Sequence, residues 1–396
     1  MNSILFTAYR KSSGGLLFVA LFCASLATMR AEDLKAVFNG KNLDGWKAVG
    51  GAKFSVEDGA IVGKTGDGTF GWLCAEKTYG DFILELEVKI TSGNSGIQIR
   101  SHLDEKKKGD KMVGDQIEVD PSPRAWSGGL YDQGRRGWLQ NLTNNPAARA
   151  AFKTNEWNKY RIECDGASIK SWVNGVAATD YLDVMDLDGL LALQVHSGKN
   201  AEVRFRNLRL QDLGRHVWKP AWNGKDFSDG HIIGKGDWKV EDGMIHGTHV
   251  KTEKEFCHLV SNDTESDFVV RLKFKSLKGN SGLYFRIEEK GASGVSGFQS
   301  EIDPEKDIGG LYETNGRAWV TKPTPEELKK FFKPQDWNSM TVYALGRHIA
   351  TDVNDHRVSE LRDDPGRTEG HFALQLHANQ DVDVFFKNIE ILGTAD

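Results

Sequence analysis

The sequence predicts an all-β protein made of two tandem sandwiches of the jelly-roll kind. Three observations carry this. Short stretches alternate apolar and polar residues with period two, and turn signals separate them about every ten residues. Glycine is enriched, at 43 of 396 residues, beside 11 Trp and 20 Phe. No strand-then-helix rhythm appears, and almost the whole chain after its first segment is written twice. Each copy, residues 33–211 and 217–394, exceeds the ~100 residues of an immunoglobulin-type domain, so larger sheets are expected.

Residues 1–31 read as a secretory leader. Arg10 and Lys11 precede the apolar run 16–27, and Ala31 offers a small residue for cleavage. The run falls short of the ~20 residues of a membrane-spanning helix, so no membrane span and a periplasmic or extracellular location are expected. The net charge of −5, with no larger basic block than the lysines at 106–108, speaks against a nucleic-acid partner. Cys74, Cys164 and Cys257 do not match between the copies and lack metal-ligand spacing, so they read as buried structural residues.

The copies run in parallel. Each opens on Asn-Gly-Lys (Asn39, Gly40, Lys41; Asn223, Gly224, Lys225) and reaches Val-Glu-Asp-Gly at 56–59 and 240–243, where Asp-Gly signals a hairpin. Phe82, Leu84, Leu86 and Val88 then share one strand face, as do Phe268, Val270, Leu272 and Phe274. Gly-Asn-Ser-Gly (93–96; 279–282) turns into a strand whose polar face should carry Gln98 and Arg100, or Tyr284 and Arg286. In the next strand Gln116, Glu118 and Asp120 alternate with aliphatic residues, as do Gln299, Glu301 and Asp303. Pro121 and Pro304 should end that strand. Gly-Gly-Leu-Tyr follows, with a bulge or tight turn at Gly128, Gly129, Gly309 and Gly310. Thr324, Pro325 and Glu327 predict a short capped helix over 324–332, with a counterpart over 144–152. Each copy closes on Leu-Gln-aliphatic-His, ending at His196 and His377, and a last strand. The join at 211–217 lacks a Pro/Gly/Ser-rich linker, so the halves should pack on each other or move little.

A cation, an imidazole and two carboxylates from three separate strands make a set that a polar cleft needs. The candidates for chemistry are Arg100, Glu118, Asp120 and His196, with Arg286, Glu301, Asp303 and His377 in the second copy. Carboxylates two apart on one strand face have Cα atoms roughly 6–7 Å apart and could share a substrate or a cation. Aromatic platforms beside amides and guanidinium groups suit sugar rings. Gln98, Gln116, Gln194, Tyr131, Arg136 and Trp138 are therefore candidate sugar contacts, with Gln299, Gln375, Tyr312, Arg317 and Trp319 in the second copy. The plainer alternative is a solvated face with cross-strand ion pairs such as Arg100 with Glu118.

The order and spacing of these motifs, with Phe205-Arg206-Asn207 and Phe386-Lys387-Asn388 near the two ends, resemble the 3-keto-disaccharide hydrolase domain family, twice over. The resemblance implies a concanavalin A-like lectin/glucanase jelly roll, bacterial export, and cleavage of glycosides already oxidised to a ketone at C3. Such a ketone acidifies the C2 proton. A base removes it, the C1 substituent departs by elimination, and water adds. On this reading Glu118 or His196 is the base, Arg100 or a bound divalent metal ion stabilises the enolate, and Asp120 orients or assists. Glu301, His377, Arg286 and Asp303 are the second set. Two other classes fit the same residues: a non-catalytic carbohydrate-binding protein, and an ordinary glycoside hydrolase with paired carboxylates. Glu301, Asp303 and Glu305 have the spacing of the latter, but the first copy has Ser122 at the third place.

Overall fold

The computed structural model describes residues 33–395, apart from 66–67, 105, 107–111 and 199; the expected leader, residues 1–31, lies outside the described residues. Each half is a jelly-roll sandwich of one eight-stranded and one seven-stranded antiparallel sheet. The expected alternation builds the core. Phe82, Leu84, Leu86 and Val88 meet Ile97, Ile117, Val119 and Leu193 in the first half. Phe268, Val270, Leu272 and Phe274 meet Leu283, Phe285, Leu374 and Leu376 in the second. Each such side chain contributes about 1.5–3 kcal/mol relative to exposure.

Local signals set the strand ends. Asp58 and Gly59 both adopt positive φ, 50° and 74°, and join Lys53–Glu57 to Ala60–Lys64. Strands Met112–Val119 and Gly294–Ile302 stop just before Asp-Pro. The helix Pro325–Phe331 has Thr324 as its N-cap and a complete capping box with Glu327, and Pro146–Ala151 is its counterpart under Asn145. Gly128 sits at φ 93°, and a Cβ there would stand 2.7 Å from Ala178 Cβ, so this turn presses against the opposite sheet. The three cysteines among the described residues, Cys74, Cys164 and Cys257, are free and buried, and burial pushes the Cys164 thiol up to about 12. No helix among the described residues is long and apolar enough to cross a membrane.

The halves join without a linker. Strand Glu202–Gly214 belongs to the first half, and His216–Pro220 already pairs with Val382–Thr394 of the second. Arg357 Nη2 donates to Leu182 O at 2.5 Å, Arg362 Nη2 donates to Asp180 O at 2.7 Å, and Leu182 packs with Val269, Tyr343 and Ala350.

The backbone overturns one expectation. Arg100 and Arg286 do not share the outer face with the acids. Each has a positive φ, 46° and 50°, where the strand register slips. Such a β-bulge adds a residue and turns the next side chain to the opposite face. Arg100 is sealed behind the sheet, where Nε donates to Gly80 O (2.7 Å), Nη1 to Gly166 O (2.7 Å) and Nη2 to Asp81 Oδ1 (2.8 Å). Arg286 repeats the latch on Ser266 O and Gly346 O, both at 2.9 Å. Neither arginine reaches a cleft.

Candidate active site

The first-half cleft lies on the polar face of the seven-stranded sheet. Strand Ser95–Leu103 sets Gly96 opposite Glu118 and Gln98 opposite Gln116. The absence of a side chain at Gly96 matters, because a Cβ there would fall 2.2 Å from Gln116 Cδ. The Gln116 amide therefore lies flat across the strand. Gln98 Nε2 donates to Gln116 Oε1 (2.6 Å), and Gln116 Nε2 donates to Glu118 Oε2 (3.0 Å). Asn94 Nδ2 donates to the other oxygen, Glu118 Oε1, at 2.6 Å.

The cation beside these acids is Arg124. Its Nη2 donates to Glu118 Oε1 (3.2 Å) and its Nε to Asp120 Oδ2 (2.7 Å). Its guanidinium lies 4.9 Å from the Trp126 ring and 5.0 Å from Trp138. Trp138 meets Trp126 and Tyr131 edge-on at 4.7 and 5.1 Å, so three rings form one wall. His196 stands exposed on the rim, its backbone N–H donating to Asn94 O at 3.1 Å. With Gln133 and Ser122 these groups line an open cleft of about 460 Å³, in the range of small-ligand sites.

The two acids are driven apart. Burial raises the Glu118 pKa above its ordinary value; the bonds from Asn94, Arg124 and Gln116 offset only part of this, and Asp120 adds to it. Burial acts on Asp120 too, but hydrogen bonds from Ser122 and Arg124 outweigh it and hold that carboxyl low. One acid is thus more basic than usual and its neighbour firmly ionised, a division typical of proton-transfer sites.

Of the residues expected here, Gln116, Glu118, Asp120, Tyr131, Trp138 and His196 come together. Gln98 and Gln194 are fully buried and form the floor, out of reach of a substrate. Arg136 points elsewhere: its Nη atoms clamp Asp183 at 2.9 and 2.8 Å, and its Nε bonds Asp132 at 2.6 Å. Arg317 makes the same clamp on Asp364, at 2.8 and 2.9 Å. Both arginines hold loops away from the acid clefts, and Arg136 lines a separate cavity with Asp183, Arg271 and Asp352. Arg124 and Asn94 were not anticipated. Arg124 has no counterpart in the second copy, so comparison of the repeats hides it. Asn94 does recur, as Asn280, but Gly-Asn-Ser-Gly reads as a turn before it reads as a ligand.

The second-half cleft changes both floor and walls, with Tyr284 standing opposite Gln299 where Gln98 stands opposite Gln116. Gln299 Nε2 donates to Gln375 Oε1 (3.0 Å), and Gln375 Nε2 to Tyr284 OH (3.2 Å), so Gln299 and Gln375 are buried floor as well. Asn280 Nδ2 donates to Glu301 Oε1. Tyr312 and Trp319 meet edge-on at 5.2 Å. The loop from Asp303 to Gly309 is two residues shorter than that from Asp120 to Gly128, and it carries neither an arginine nor a tryptophan. Lys322 instead sits 3.9 Å over Trp319 and pairs with Asp307 at 3.2 Å. Glu301 is pushed up to about 8, by burial first and then by Asp303 and Asp307 against the pull of Asn280 and Lys322. His377 is half-buried beside Phe256, at 4.8 Å.

A divalent ion does not fit the first cleft as it stands. All four oxygens of Glu118 and Asp120 accept from nitrogen donors, so an ion would have to displace Arg124. Among the described residues, the trio with mutually close donor atoms is Asp81, Asp165 and His216, behind the sheet, where Asp81 already holds Arg100.

A model of the 3-keto-alpha-glucoside-1,2-lyase-like domain matches residues 33–211 and again 217–392. Nothing among the curated proteins matches the chain. Solved structures similar to it include a candidate glycosyl hydrolase from Parabacteroides distasonis ATCC 8503, at 21% identity over 46% of this chain and 94% of that one, with a TM-score of 0.34. Carbohydrate-binding module CBM66 from Bacillus subtilis aligns at 20% identity over 41% of this chain and 93% of its own, with a TM-score of 0.33. A Bacillus subtilis protein of galectin-like fold aligns at 13% identity over 45% of this chain and 94% of its own, with a TM-score of 0.36.

Proposed function

The chain belongs to the 3-keto-alpha-glucoside-1,2-lyase-like domain family in both halves, and from that premise we propose that its first-half cleft cleaves glycosides bearing a ketone at C3 of the sugar. The observation that carries this is Glu118: a buried carboxylate of raised basicity, held by Asn94 and Gln116, with Arg124 alongside.

Glu118 takes the C2 proton, which the neighbouring ketone acidifies. The C2–H electron pair passes into the enolate, and Arg124 supplies positive charge where negative charge develops. Asp120, kept ionised, holds Arg124 in place. The enolate then expels the C1 substituent as the C1=C2 double bond forms, and His196 on the rim protonates the departing oxygen. Addition of water across that double bond completes a net hydrolysis. Trp138 and Tyr131 offer ring faces and edges to the sugar's C–H surface. We also infer that this happens outside the cytoplasm, after loss of residues 1–31; the exported chain should then begin at Glu32.

The test is a pair of substrates. Release of the aglycone from a 3-keto-glucoside and not from its unoxidised parent supports the proposal, and release from both points to an ordinary glycosidase. In D2O the product should carry deuterium at C2, which direct displacement at C1 would not introduce. Glu118→Gln should lower kcat/KM by about 10²–10⁴-fold. An unchanged rate would remove Glu118 from the mechanism.

A further inference from the structure

The two clefts share the asparagine that bonds the acid and differ in what else stands around it. In the first, a guanidinium touches Glu118. In the second, Glu301 is flanked by Asp303 and Asp307, and Lys322 is drawn off to Asp307 and the face of Trp319. A developing enolate would meet two carboxylates there and, in place of a guanidinium in contact with the acid, only the more remote charge of Lys322, which disfavours it.

The far wall has changed as well. Where the first copy has the fully buried Trp72, the second has His258, whose strand neighbour is Gln375, as Trp72's is Gln194. His258 is 1% exposed, and its ring nitrogens make no well-formed hydrogen bond, the Ser293 backbone being the one polar group that acts on them. Burial holds it neutral, with its pKa down at about 4. Its ring meets Tyr284 edge-on at 5.4 Å and lies beneath the exposed Phe256, at 6.1 Å. Asn280 Oδ1, next to Glu301, is buried and lacks a partner. Native proteins leave few buried polar atoms unpaired, and those they leave commonly await water or a ligand. Phe256 adjoins the second strand of the sheet and Trp319 lies on its last, five strand spacings or roughly 24 Å apart. That span suits an oligosaccharide better than a single ring.

We propose that the second-half cleft is a holding site for neutral, unoxidised oligosaccharide, and that it performs no elimination. It anchors a glycan chain through Phe256, His377 and Trp319 while the first-half cleft processes ketone-bearing units. The proposal rests on the reading of the first cleft as the catalytic one. With its carboxyl protonated near neutral pH, Glu301 donates a hydrogen bond to a sugar oxygen where Glu118 would accept a proton.

The experiment uses the full chain carrying Glu118→Gln, with maltotriose and cellotriose as probes in calorimetric titration and a 3-keto-glucoside in the turnover assay. Turnover should fall at least 100-fold, with no residue of activity from the second half, while one of the probes still binds. Adding Phe256→Ala or His377→Ala should weaken that binding at least tenfold. Phe256 is exposed, and a thermal melt of each variant checks the fold. Retention of about half the turnover by Glu118→Gln would overturn the proposal, as would probe binding indifferent to both wall substitutions or absent from the start. Should the unaltered chain cleave no ketone-bearing glucoside, the reading of the first cleft fails, and the titration still decides the second.

Discussion

Glu118 and Glu301 occupy the same strand position and receive the same asparagine, yet only Glu118 has a guanidinium in contact. Arg124 is therefore the side chain that separates the two sites. Arg124→Met should lower kcat/KM on a 3-keto-glucoside by about 10–10³-fold, and Arg124→Lys should restore only part, because one point charge cannot span Glu118 and Asp120 as the planar fork does. Glu301 yields a prediction on stability. Its folded pKa of about 8 exceeds its ordinary 4.5, so between these values the folded protein keeps a proton that the unfolded chain has released. Stability from this group accordingly declines as pH rises from 4.5 through 8, the direction opposite to a salt-bridged carboxylate. Glu301→Gln should match the unaltered protein in thermal melts below pH 4.5 and exceed it by a growing margin up to pH 9. A constant difference across that range would contradict the assignment. Neither charge environment was legible beforehand: Arg124 stands in a loop, and its distance from Glu118 depends on how that loop closes.

At the scale of the element, the bulges at Arg100 and Arg286 decide most. Period-two alternation correctly placed Ile97 and Ile117 inward and Gln116 and Glu118 outward, since pleating imposes it wherever pairing is regular. It failed at Arg100 because one extra residue reverses every later assignment in the strand, and nothing in the local residues announces the slip. The consequence is structural. Arg100 satisfies Gly80 O, Gly166 O and Asp81, tying the start of one core strand to a neighbouring hairpin turn. Arg100→Met should leave Gly80 O and Gly166 O without that donor and Asp81 with only the Gly166 N–H and His216, and should destabilise the protein by about 3–5 kcal/mol in urea titration. A substitution without effect on stability would mean that the latch is ornamental.

For the whole molecule, the absence of a linker predicts cooperation between the halves. One strand hands over to the next within a single residue, Arg215, and Arg357 crosses to Leu182 O while bonding Asp352. Calorimetry should show one transition for the unaltered protein, and Arg357→Ala, which leaves the buried Asp352 with only the Tyr343 hydroxyl, should split or broaden it. Two independent transitions in the unaltered protein would show that the seam carries little energy.

By itself, the order of residues determined the all-β character, the duplication, the turns at Asp-Gly, the capped helices and the acid strand that faces the cleft. These follow from interactions between near neighbours in the chain, which the spacing of residue types records. Only the tertiary structure decided which arginine stands beside Glu118, that Arg136 and Arg317 are clamps, and that the two clefts differ in charge. Those outcomes hang on a register slip, a loop two residues shorter, and contacts between side chains far apart in sequence. No local pattern encodes the distance between such groups, because it is set by how the sheets close on each other.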